Sequence, residues 1–78
     1  MPEASPHAVS LGANIRSART AKDLTQLALA HAIGRVGINA GASICRIENG
    51  EETPRIDTLD RIAKVLGTTV HALIPPMR

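Results

Sequence analysis

The sequence predicts an all-α domain of five short helices, and three observations predict it. Apolar residues recur at spacings of three and four along most of the chain, and no segment alternates with period two. Gly34, Gly50 and Gly67 each close such a run, where a helix-ending residue belongs. The length of 78 residues leaves room for one domain. A chain that is 44% hydrophobic is too apolar for the disordered class. A domain of this size hides only about 60% of its unfolded surface or a little more, so its core is small and depends on well-formed helices. Enzymes with deep clefts are disfavoured. The absence of Phe, Tyr and Trp also removes the stacking platforms on which readers of single-stranded nucleic acid depend.

Residues 1–9, with Pro2 and Pro6, read as a loose tail without Lys or Arg. Ser10 is placed to cap a first helix in which Leu11, Ile15 and Ala18 share a face, flanked by Arg16 and Arg19. Thr25 caps a second helix with the stripe Leu29, Ala30 and Ile33; Leu27 lies off that stripe, and Gly34 stops it. Residues 34–41 hold three glycines and no clean period, and read as a long turn. A third helix runs from Ala40 or Gly41 to Asn49 with Ile44 and Ile47 inward, and Gly50 closes it in the left-handed conformation. Residues 51–54 form a polar loop ending in Pro54. Ile56, Leu59, Ile62, Ala63 and Leu66 then give a fourth helix the best amphipathic pattern in the chain. Thr69 caps a last short helix carrying Val70, Leu73 and Ile74, which Pro75-Pro76 ends. The organisation expected is a tail over 1–9, a folded domain over 10–74 and a tail over 75–78.

One cysteine, Cys45, excludes an internal disulfide framework and a Cys-rich zinc module. His7, His31 and His71 show no close ligand spacing with it, so no metal site and no cofactor are expected. No Gly-rich phosphate motif or Ser/His/Asp arrangement is present, and the expectation is a protein without enzymatic activity. No run reaches the ~18–20 apolar residues of a membrane span, and the N-terminus lacks the pattern of a secretion signal. The expected location is the cytoplasm.

The formal net charge of +2 conceals segregation by sign. Between residues 10 and 46, Arg16, Arg19, Lys22, Arg35 and Arg46 face one acid, Asp23. Between residues 47 and 60, Glu48, Glu51, Glu52, Asp57 and Asp60 face one base, Arg55. Basic residues that share a face make an electrostatic footprint for an anionic partner.

The ordered set of segments "LGANIRSAR" (11–19), "LTQ" with "LA" (24–26 and 29–30), "RIENG" (46–50), "TPRIDTLDRIAKVLG" (53–67) and "TTVHALI" (68–74) resembles the Cro/cI-type, or XRE, helix-turn-helix family. The resemblance implies a compact five-helix lambda-repressor-like DNA-binding domain. It also implies sequence-specific binding of a double-stranded operator by a small transcriptional regulator, like a phage repressor or restriction–modification controller. In such a fold the second helix of the motif enters the major groove, about 12 Å wide, while the first crosses the backbone. Gln26 and Asn49 match the family's phosphate clamps. Arg19 and Glu48 match an ion pair between the first and third helices. The base-reading positions fall on Gly41, Ala42, Ser43 and Arg46, of which Arg46 alone can make a bidentate guanine contact.

Two features depart from the family pattern. The turn is longer than the usual ~3–4 residues, which brings in Arg35 as a backbone contact and Asn39 as a cap for the third helix. Glu51 and Glu52 would face phosphates, so sequence preference is expected to rest partly on DNA shape. A homodimer is expected through the last helix, by Val70, Ile74 and Pro75. The competing reading is a protein-interaction module of the same fold, as an antitoxin or coactivator uses it.

Overall fold

The computed structural model describes residues 6–74, with side chains from residue 8 onward. Five helices follow one another: α1 (Pro6–Ala21), α2 (Gln26–Ala32), α3 (Ala40–Glu48), α4 (Ile56–Val65) and α5 (Val70–Leu73). Among the described residues there is no strand. The all-α, five-helix reading of the sequence is the architecture found.

α1 begins earlier than the sequence reading placed it. Ser10 does not cap the helix; it is an exposed residue inside it. Proline is favoured at the first helical position because its missing N–H is unpaired there in any case, and Pro6 occupies that position. The extra turn brings Ala8 into the core beside Leu11 and Ile15. Residues 6–9 therefore belong to the helix, and the remainder of the expected tail lies outside the described residues.

Four of the helices end in the same way. After α1, α2, α3 and α4 the backbone N–H groups of Leu24, Arg35, Glu51 and Thr68 return to the carbonyls of Arg19, Ala30, Arg46 and Ala63. This bond pattern requires a left-handed residue just past the helix. Gly34, Gly50 and Gly67 supply it after α2, α3 and α4, and Asp23 (φ 56°) supplies it after α1. Thr25 and Thr69 cap α2 and α5, their hydroxyls accepting from the N–H groups of Ala28 and Ala72. Asn39 stands at the N-cap of α3, but its side chain makes no cap bond.

The core is aliphatic throughout: Ile15, Leu29, Ile44, Ile47 and Ile62 are fully buried, with Leu11, Ile33, Leu59, Leu66 and Leu73 around them. Shape must be fitted by branched chains and alanines without an aromatic ring, and that demands close helix approach. Gly12 provides it where α1 crosses α3, since a Cβ there would lie 2.5 Å from the Glu48 carbonyl oxygen. One expected core residue is not buried. Ile56, the first residue of α4, is 70% exposed, because the chain has only just left the Thr53–Arg55 loop and the helix's inward face starts at Leu59.

α5 is held to α1 by Asn14, whose Nδ2 donates to the carbonyl of Leu73 at 2.8 Å. Val70 packs partly against the core, and Ile74 stays exposed. Pro75 lies outside the described residues.

Candidate nucleic-acid interface

α2 and α3 pack closely on each other, and α3 also rests on α1. The buried side of α3 carries Ala40, Ser43, Ile44, Ile47 and Glu48. Its outward side carries Ala42, Arg46 and Asn49, which at spacings of four and three line up on one face.

The orientation of that face is set by a carboxylate. Glu48 is buried at the end of α3, and its Oε2 accepts from Arg19 Nε at 2.6 Å while its Oε1 accepts from Arg19 Nη2 at 3.1 Å. Arg19 Nη1 donates to the Leu24 carbonyl at 2.6 Å, tying the same guanidinium to the α1–α2 connection two residues ahead of α2. Gln26, the first residue of α2, donates Nε2 to Glu48 Oε1 at 3.1 Å. One side chain thus joins α1, α2 and α3. The hydrogen bond to Glu48, opposed by burial and aided by the charge of Glu48, holds the Arg19 guanidinium above its ordinary pKa. The expected Arg19–Glu48 pair is present, with Gln26 as a third member that spacing alone does not reveal.

The sequence-predicted base readers separate into two groups. Ala42 and Arg46 are exposed. Ser43 is not: it is 6% exposed, and its Oγ is buried without a hydrogen-bond partner. Following Ala42 by one position, it is turned about 100° to the core side of α3, so the expectation of a base contact from Ser43 is corrected. Gly41 has no side chain to offer a base. It is half-buried, and a Cβ there would meet the Leu27 backbone nitrogen at 3.3 Å. Its part is to let α3 approach the start of α2.

Arg46 is engaged on its exposed side. Its Nε stands 3.4 Å from Glu52 Oε1, and its carbonyl accepts from the backbone N–H of both Glu51 and Glu52. Asn49 is the C-cap of α3, exposed, with Nδ2 3.5 Å from Cys45 Sγ. Arg35 is half-buried in the turn, where its backbone N–H closes the end of α2. Gln26, Ala42, Arg46 and Asn49 therefore belong to a connected α2–α3 unit, and Arg35 lies in the loop between the two helices.

The turn contains what sequence reasoning missed. Val36 is 87% and Ile38 93% exposed, the most exposed large apolar residues among those described. Gly37 between them has φ 97°, and its carbonyl lies 3.5 Å from His31 Nε2. The signal was in the sequence as two β-branched residues within a glycine-punctuated, non-periodic stretch. Elsewhere the described residues hold no group of three His, Cys, Asp or Glu able to bind a metal ion. None of their helices is long and apolar enough to cross a membrane.

No curated protein matches the chain at a significant level. Among solved structures, hydroxypropylphosphonic acid epoxidase from S. wedmorenis is 30% identical with a TM-score of 0.77, over 90% of this chain and 35% of that one. A cobalt(II) form of HppE bound to Tris buffer matches at 29% identity and a TM-score of 0.79, over 92% of this chain and 38% of that one. The chain thus spans little more than a third of these enzymes. The clp gene regulator ClgR from Corynebacterium glutamicum shares the fold at 24% identity and a TM-score of 0.78, over 91% of this chain and 71% of that one. The family model for the helix-turn-helix domain matches residues 15–73, three quarters of the chain and the whole span from mid-α1 to α5. The chain belongs to the HTH_3 helix-turn-helix family.

Proposed function

We propose that the chain binds double-stranded DNA as a small transcriptional regulator, with α3 lying in the major groove and α2 crossing the backbone. The observation that carries this reading is the outward row Ala42, Arg46 and Asn49 on an α3 fixed to both α1 and α2 through Glu48. Arg46 reads a guanine edge or holds a phosphate, Ala42 touches a thymine methyl, and Asn49 and Gln26 bond to phosphates, Gln26 with the amide proton that Glu48 leaves free. Arg35 reaches the backbone from the turn. Gly41 and Ser43 serve the packing of α3.

Two copies linked through the α5 end, by the exposed side of Val70, Ile74 and the following Pro75, read a two-fold-related operator with half-sites about 34 Å apart. The gain in effective concentration offsets the small interface of one module. Titration of a random duplex at varied salt tests the reading. Affinity that falls steeply with salt, at a slope reporting several neutralised phosphates, is expected; no binding at low salt sinks it. Light scattering that finds only monomer at high micromolar concentration removes the dimer.

A second reading is a protein-docking module of the same fold. It is favoured by the exposed Val36 and Ile38 and by the acids Glu51 and Glu52 beside Arg46.

A further inference from the structure

Val36 and Ile38 lie just ahead of α3, with Ile38 directly preceding the N-cap Asn39. In a major-groove complex of this motif, the N-terminal end of the recognition helix is the part that reaches base edges. That end of α3 offers few polar readers of its own, since Gly41 packs on Leu27, Ser43 is buried and Ala42 has one methyl group. The lengthened turn that leads into this end carries two branched aliphatic side chains whose exposure leaves them free for an outside partner. Gly34 and Gly37, both at positive φ, carry the loop out from the end of α2, and the Ala40 N–H bonds back to the Gly37 carbonyl at 3.3 Å. The tip is therefore tied by a main-chain bond to the first residue of α3.

Resting on the DNA-binding reading above, we infer that Val36 and Ile38 are specificity-determining residues that recognise the 5-methyl groups of thymines in the major groove. The thymine methyl is the apolar feature a base pair presents there, and aliphatic side chains are suited to it. Arg35, at the foot of the same loop, adds a positive charge beside the tip in sequence, where a flanking phosphate would be met. A patch limited to this tip also suits a few methyl groups better than a stable protein interface, which needs roughly 800 Å² from each partner.

The test uses the full chain and its V36S/I38S variant, whose exposed sites leave the helical circular dichroism unchanged. Duplexes of about two helical turns are selected from a random library by the wild-type chain. They are then resynthesised with deoxyuridine replacing thymidine, which removes only the methyl groups. Wild-type affinity should fall about fourfold for each contacted methyl lost. The variant should lose most of this discrimination, keeping only the share owed to Ala42, with an unchanged salt slope. Equal binding of both duplexes by the wild type, or undiminished discrimination by the variant, overturns the inference and leaves DNA binding standing. Absence of salt-dependent binding to any duplex overturns both, and a protein partner lost on V36S/I38S substitution would then identify the tip as a docking site.

Discussion

Gln26 Nε2 and Arg19 Nη2 each lie 3.1 Å from the same Glu48 carboxylate oxygen, so the first residue of α2 is held by the ion pair that fixes α3. Removing the carboxylate leaves a buried guanidinium unpaired. Glu48→Ala should cost about 3–5 kcal/mol in urea unfolding, and the volume-matched double variant Arg19→Met/Glu48→Leu should recover most of it. The raised pKa of Arg19 gives stability that is complete below its strongly basic unfolded value and is lost only as pH climbs through the still higher folded value. The stability difference between wild type and the double variant should therefore be the same at pH 7 and at pH 10 as far as Arg19 is concerned.

Glu52 lies against the one exposed α3 side chain able to make a bidentate guanine contact. Glu52→Gln should tighten duplex binding and steepen its salt slope by up to about one unit, because Arg46 then meets DNA without a competing carboxylate. An exposed pair of this kind is worth little to the fold, so stability should move by no more than about 0.5 kcal/mol. Arg46→Ala should weaken binding by about 1–3 kcal/mol with an unchanged melting curve.

Ser43 gives a check on which face of α3 meets DNA. Ser43→Ala removes a buried hydroxyl that has no partner, so thermal stability should stay level or rise, by up to about 1 kcal/mol. Duplex affinity should not change. A large loss of affinity would return Ser43 to the reading face.

Gly12 should be the least tolerant position in α1. A methyl group there meets the main chain of Ile47 and Glu48, with the Glu48 carbonyl carbon at 2.7 Å, and backbone cannot swing aside as a side-chain tip can. Gly12→Ala should cost about 3 kcal/mol, the upper part of the usual range for overpacking, read by chemical denaturation.

Asp23 holds the left-handed position that glycine fills after α2, α3 and α4. Asp23→Gly should raise stability by about 0.5 kcal/mol, the relief of the left-handed strain exceeding the extra freedom glycine gives the unfolded chain. A higher urea midpoint at an unchanged slope is the expected record.

The helices were legible because period, caps and glycine stops all agreed. Leu29, Ala30 and Ile33 are buried as their spacing implies, and Thr25 and Thr69 cap as their positions imply. Pro6 was read as a tail marker when it was a helix start, since a proline at the first helical position and one in a loose segment look alike without the packing of Ala8. Ile56 was counted inward from its spacing, which gives a helix face but not where burial along that face begins. The candidate site was less legible. Family spacing located the Arg19–Glu48 pair, yet it placed Ser43 on the reading face because it could not see that this position turns to the core side of α3. Val36 and Ile38 were passed over because exposure is a tertiary property and a turn has no period from which to infer it.

The α2–α3 turn is bounded by fixed points. The end of α2 is closed by its own return hydrogen bonds at Gly34 and Arg35, and α3 is anchored from the far end by Glu48. The tip side chains contribute nothing to the aliphatic core, and the entropy of closing a loop rises only slowly with its length. The turn can therefore drift in length and sequence while the scaffold stays the same. In evolutionary terms it is an exchangeable cassette: related chains could acquire new target preferences by editing a few turn residues, without repacking a helix.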